Sequence, residues 1–270
     1  MNMIKPVAIF DAGIGSYAIV DLLHRKQPQR DIIYFADRAN FPYGKKTAGE
    51  LTDIMKLTFK RLMRYDPSAI IIASNAPSIM VFDDVKECCP VPLYGVFPPL
   101  EEAERKSRSG HVAIMGVASM VASPMGRAFV KKHSKRPENV ALVNASSMVE
   151  LVESGTFLFD PVKTQAEVDR FMADLLGQYP AVDTCTLSST HLPWLKSFFE
   201  KAAPQCCFLD PAESVIAKLG KSEEGSGFIQ GLVTESAGYG VQDFKNMLGK
   251  LGITIPLDII PANESQTFSK

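Results

Sequence analysis

The sequence predicts an α/β protein made of two pseudo-symmetric open parallel-sheet domains with a ligand cleft between them. Three observations lead there. Nine short apolar or β-branched runs alternate with segments of helical period, the rhythm of βαβ units. Two proline-marked crossings divide the chain. Two strand-to-helix junctions, Ile70-Ile71-Ile72-Ala73-Ser74-Asn75 and Thr184-Cys185-Thr186-Leu187-Ser188-Ser189-Thr190, echo one another. Each sets a serine at a strand's carboxyl end, the edge at which open α/β sheets bind ligands.

In chain order the strand candidates are Val7 to Phe10, Asp31 to Phe35, Ala69 to Ala73, Leu93 to Val96, Val112 to Met115, Val140 to Val143, Thr184 to Leu187, Cys207 to Leu209 and Phe228 to Val233. Between the second and third, Leu51, Ile54, Met55, Thr58, Phe59, Leu62 and Met63 recur three and four residues apart. That spacing makes one apolar stripe of a helix, which must end before Pro67. Phe97-Pro98-Pro99 lets neither a helix nor a ladder continue, and Asp210-Pro211 follows the strand near Cys207. The division expected is a discontinuous first α/β domain, 1–98 plus 210–260, and a second, 99–209, with a loose polar tail over 261–270. Each domain is near the usual size of about 100 residues.

Charge narrows the function. Lysine and arginine total 29 against 30 for aspartate and glutamate in 270 residues, so no bulk attraction holds a polyanion, and nucleic acid is disfavoured as the main ligand. No apolar run approaches the roughly 18 to 20 residues of a membrane span. Met1 to Phe10 lacks the pattern of a secretory signal, which makes a cytoplasmic location the default expectation. The five cysteines include two adjacent pairs, Cys88-Cys89 and Cys206-Cys207; they read as buried reduced thiols. Without CxxC or HExxH spacing, no metal site is expected.

Four segments carry candidate chemistry. Asp11-Ala12-Gly13-Ile14-Gly15-Ser16 follows the first strand and opens a helix. It fits a small carboxylate site, a plain tight turn or, lacking a third glycine, a poor nucleotide loop. Asn40-Phe41-Pro42-Tyr43-Gly44 is a turn with a packed tyrosine on its residues alone. In Ser74-Asn75-Ala76-Pro77-Ser78 the first serine suits a helix N-cap. Ser188-Ser189-Thr190-His191-Leu192-Pro193 places a histidine two residues after Ser189. A Ser/His hydrolase would need an acidic partner and a glycine-flanked elbow, and neither is visible.

Taken together, Val7-Ala-Ile-Phe-Asp11-Ala-Gly-Ile-Gly15, Ile32 through Gly44, Ile71-Ile-Ala-Ser74-Asn75 and Thr190-His191-Leu-Pro193 resemble the signature blocks of the glutamate racemase family, in family order and spacing. The resemblance runs over nearly the whole chain. It implies the aspartate/glutamate racemase fold and the cofactor-independent interconversion of L- and D-glutamate, or of a close acidic amino acid, which supplies D-amino acid for bacterial cell-wall peptidoglycan. One thiolate removes the α-proton and a thiol on the opposite face returns one. The implied partner is a small acidic amino acid or other small carboxylate, with pairing as a homodimer.

The family's two cysteines fall on Ser74 and Ser189. Asp11 matches the aspartate assisting the first base, and Tyr43 and Gly44 match the loop that contacts substrate. Asn75 matches the amide holding the amino acid, Thr190 and His191 the groups beside the second base, and Glu153 a glutamate near it. Ala12 and Ala76 stand at substrate-binding positions where the family has hydroxyls; Ser188 replaces glycine and Leu192 tyrosine. Two-thiol racemisation cannot operate with these residues. Three accounts of the serines stay open: engineered replacement, altered acid–base chemistry using Ser189 with His191 or Asp11, and a non-catalytic small-carboxylate-binding or regulatory homologue. Cys185, four residues before Ser189, is expected to pack inside the sheet rather than to replace a lost thiol.

Overall fold

The computed structural model describes residues 5–221, 225–235 and 240–262. Its strands are β1 (Val7–Asp11), β2 (Ile32–Asp37), β3 (Ala69–Ile72), β4 (Leu93–Gly95), β5 (Val112–Gly116), β6 (Val140–Asn144), β7 (Thr184–Leu187), β8 (Cys207–Leu209), β9 (Ile229–Thr234) and β10 (Leu257–Ile259). They form two parallel sheets, one in the order β10-β9-β2-β1-β3-β4 and the other β6-β5-β7-β8. Without β9 and β10, the first sheet reads β2-β1-β3-β4, the same succession as β6-β5-β7-β8. β3 and β7 therefore hold equivalent places, which is the structural basis of the echo between their sequences.

β1, β2, β3 and β5 are buried at every position, because a parallel strand flanked by crossover helices loses water on both faces. That double burial makes them continuous apolar runs rather than alternating ones. All nine predicted runs form strands. β10 was not predicted: it is a three-residue edge strand with Asp258 and Ile259 exposed, so no apolar pattern announces it.

The predicted helix spans Ala48–Leu62, with Leu51, Met55, Thr58, Phe59 and Leu62 buried and Ile54 and Met63 packed partly buried against the same core. Thr47 and Glu50 close its start reciprocally, each side chain accepting from the other's backbone N–H. A short 3-10 turn, Met63–Tyr65, and Asp66 in the left-handed region (φ +46°) end it before Pro67.

The chain leaves the first sheet after β4 through Phe97-Pro98-Pro99, enters the helix Leu100–Lys106 and begins the second sheet at β5. It returns from β8 through Asp210-Pro211 and the helix Ala212–Leu219 to β9. One apolar cluster runs from Ile9 on β1 through Ile14 and Leu192 to Leu187 on β7, so the two sheets share core.

All five cysteines are free, and Cys185 and Cys206 are buried as expected. Cys88 departs from that expectation. It ends an exposed 3-10 turn, Lys86–Cys88, beside the edge strand β4, while Cys89 and Cys207 are half-buried. Of the predicted tail, 263–270 lies outside the described residues. Among the described residues no helix is long and apolar enough to cross a membrane.

Candidate functional site

The carboxyl ends of β1, β3 and β7 converge. β1 ends at Asp11, β3 runs on to Ser74, and β7 to Ser188 and Ser189. Between them lies a cavity of about 50 Å³ lined by Asp11, Ala12, Tyr43, Gly44, Ser74, Asn75, Ala76, Ser189, Thr190 and His191. Every predicted site residue lines it except Glu153, which stands behind His191. Phe41, Val117 and Val149 add apolar wall that the sequence did not reveal.

Asp11 is 3% exposed, and its Oδ2 accepts a hydrogen bond from Thr190 Oγ1 at 3.0 Å. Burial raises its pKa to about 6, with His191, the Ala12 N–H and the hydroxyls of Thr190 and Ser74 opposing only in part. Ser74 sits at the N-cap position of the helix Asn75–Met80 but makes no capping hydrogen bond. Its hydroxyl stands beside the Asp11 carboxyl instead. Asn75 donates through Nδ2 to the Val96 carbonyl at 3.0 Å. Its Oδ1 is buried with no hydrogen-bond partner among the described residues, an open acceptor on a residue of the cavity wall.

The loop after β2 is both a packed turn and a wall of the site. The Tyr43 hydroxyl donates to Asp37 Oδ2 at 2.9 Å, and Thr234 and Asn40 fill the rest of that carboxylate. Burial, then the Asp37 charge, pushes the phenol well above its usual pKa, so it remains a donor. A Cβ on Gly44 would stand 3.2 Å from Val117, so the loop passes close to the segment that follows β5.

On the other wall Ser189 Oγ is 3.3 Å from His191 Nδ1, and His191 Nε2 is 2.7 Å from Glu153 Oε1. Glu153 is tightly held. Oε1 also accepts from the Ile14 N–H at 2.7 Å, and Oε2 from Arg38 Nη1 at 2.8 Å. Burial alone would raise the Glu153 pKa. Hydrogen bonds and charge from His191 and Arg38 outweigh it and hold the carboxyl at about 2. A carboxylate only accepts, so Nε2 carries the hydrogen; in the neutral ring Nδ1 is then the acceptor, and the Ser189 hydroxyl donates to it.

Two sequence readings change here. The glycine loop after β1 does meet a carboxylate, but it is the protein's own. A Cβ on Gly13 would lie 2.1 Å from Glu153 Oε1 and 2.6 Å from His191 Nε2, and one on Gly15 would lie 2.6 Å from the His191 nitrogen. The glycines are required by this close approach across the cleft. Ser189-His191 also has an acidic partner after all, because folding brings Glu153 onto the imidazole. No glycine-flanked elbow accompanies it.

Arg38 was missed. It is 2% exposed, holds Glu153 and packs its guanidinium over Phe41 and Phe244 at 5.6 and 5.2 Å. Its only sequence signal is a cation directly after a buried strand. Thr190 to Asp11, Trp194 Nε1 to the Gly15 carbonyl at 3.0 Å, and Glu153 to Ile14 and Arg38 together fasten the second unit onto the first. Two larger grooves, about 740 Å³ each, contain none of the predicted site residues. The first has charged walls such as Asp21 with Arg25 and Glu102 with Lys106, which pair with each other.

No family model matches the chain. The glutamate racemase of Chlorobaculum tepidum is 29% identical over 220 residues, 80% of this chain and 79% of that protein. The crystal structure of Thermus thermophilus glutamate racemase in complex with β-chloro-D-alanine superposes with a TM-score of 0.79 at 25% identity, covering 95% of this chain and 97% of that one. Escherichia coli glutamate racemase in complex with L-glutamate and the activator UDP-MurNAc-Ala gives 0.82 at 18% identity, covering 96% and 99%. In fold, and in sequence over four-fifths of its length, this chain is therefore similar to the glutamate racemases.

Proposed function

We propose that the chain is a member of the glutamate racemase family whose cleft binds a small acidic amino acid, glutamate or a close analogue, and does not invert it by two-thiol chemistry. The observation that carries this reading is that Ser74 and Ser189, one from each sheet, line the same small cavity with Asp11, Asn75 and His191. A thiol with a reference pKa of about 8.5 supplies a useful thiolate fraction near neutral pH, whereas a hydroxyl does not. With oxygen at both positions, neither face of the α-carbon meets a thiolate.

The rest of the wall suits an amino acid. Asp11 and the unpartnered Asn75 Oδ1 are acceptors for an ammonium group, and the first backbone N–H groups of the helix Asn75–Met80 are donors for a carboxylate. The relatives crystallised with L-glutamate and β-chloro-D-alanine hold ligands of that class. Ala12 and Ala76 present methyl groups where hydroxyls would add contacts. A cavity of about 50 Å³ has room for roughly one or two waters, far fewer than the heavy atoms of glutamate. Binding therefore requires the unit of 1–98 and 210–260 to part from that of 99–209. The proposed setting is cytoplasmic amino-acid metabolism.

Calorimetric titration with L- and D-glutamate tests this. Saturable binding is expected at pH 8. Because the raised Asp11 pKa leaves the carboxyl ionised only above about 6, affinity is expected to fall by up to about tenfold per pH unit below that point. In heavy water, NMR is expected to show the bound amino acid keeping its configuration. Absence of saturation at millimolar glutamate, or inversion at about 1 s⁻¹ or faster, would overturn the proposal.

A further inference from the structure

We infer that Ser189 is an activated nucleophile that accepts small acyl groups, with His191 as its base and Glu153 as the group that orients and charges the base. The inference shares the cavity with the proposed amino-acid site but needs no ammonium ligand, so the two stand or fall separately. It rests on connected contacts. Ser189 Oγ lies 3.3 Å from His191 Nδ1, His191 Nε2 lies 2.7 Å from Glu153 Oε1, and Glu153 is fixed by the Ile14 N–H and Arg38. Nucleophile, base and third group are joined as in serine hydrolases, although here the serine meets Nδ1 and the carboxylate Nε2.

Arg38 and the Ile14 amide keep Glu153 ionised, so an imidazolium formed at His191 is stabilised where it arises. Ser189 lines the cavity and is 6% exposed, which confines its partner to a small acyl group. With no elbow to set the hydroxyl at a sharp turn, reaction requires a good leaving group. The substrate class is accordingly short-chain activated esters and thioesters.

The step balances without any other reagent. Ser189 Oγ forms a bond to the acyl carbon as its proton passes to His191 Nδ1. The bond from carbon to the leaving oxygen or sulfur breaks, and that atom takes the proton from Nδ1. Water then attacks the acyl-serine by the reverse transfer and releases the carboxylic acid.

p-Nitrophenyl acetate is the test reagent. Mixing it with the intact protein is expected to release about one equivalent of nitrophenolate in a fast phase, and peptide mass spectrometry should place one acetyl group on Ser189. Ser189→Ala should abolish both signals, Ser189→Cys should restore them, and His191→Gln should slow the fast phase by about 10²-fold or more. Thermal midpoints of the Ser189 variants close to wild type separate loss of the nucleophile from loss of the fold. Acetyl on Ser74 or on lysines with Ser189 bare, or a fast phase unchanged in Ser189→Ala, would overturn the inference.

Discussion

The double variant Ser74→Cys with Ser189→Cys is expected to racemise glutamate at a rate about 10²- to 10⁴-fold above the wild type. Sulfur and oxygen differ here mainly in acidity. A thiol titrates close enough to neutrality for a neighbouring group to draw off its proton, and both positions have such a neighbour: Asp11 beside Ser74, and His191, backed by Glu153, beside Ser189. The remainder of the cavity is already formed, so no backbone change is required. Each single variant should exchange the α-proton for deuterium without inverting the amino acid, because one base serves one face. Circular dichroism of the amino acid follows inversion, and NMR follows exchange. A double variant that binds glutamate but stays inert would show that the methyl groups of Ala12 and Ala76 also disable the site.

Glu153→Ala is expected to lower stability by about 3–5 kcal/mol. The change takes a carboxylate partner from three buried groups at once: the Arg38 guanidinium, the Ile14 N–H and the Nε2–H of His191. Linkage gives a consistent figure, since a pKa lowered from 4.5 to about 2 corresponds to about 3 kcal/mol. The sign is that of a depressed carboxyl. Its contribution is complete above about pH 4.5 and is lost as pH falls toward 2. Urea unfolding of wild type and variant should therefore differ most near pH 7 and converge in acid. A loss below about 1 kcal/mol at pH 7 would mean that Arg38 and Ile14 find other partners. Because Glu153 joins the two sheets, the same variant is expected to loosen the cleft.

Nine of the ten strands among the described residues were legible as apolar or β-branched runs, most plainly β1, β2, β3, β5 and β7, which are sealed on both faces and so read as unbroken. β10 gave no such signal at an exposed edge. The shared cavity of Ser74 and Ser189 was legible for a related reason: both serines follow buried strands at the carboxyl edge, and the matching strand orders bring those edges together. What the chain order hid was the set of contacts across the cleft. Glu153 lies 38 residues before His191 and 139 after Ile14, so local pattern could not show that it completes the Ser189-His191 pair. Nor could it show that Glu153 occupies the amide end of the glycine loop. The role of Arg38 was invisible for the same reason, since the Glu153 it holds belongs to the other unit.

A crystal structure of the protein with L-glutamate tests most directly whether this cleft is an amino-acid site. The ammonium group should meet Asp11 and Asn75 Oδ1, with the α-carbon between the hydroxyls of Ser74 and Ser189. Glutamate seated in one of the larger grooves, or lying in the cavity with both hydroxyls on the same face of its α-carbon, would contradict it.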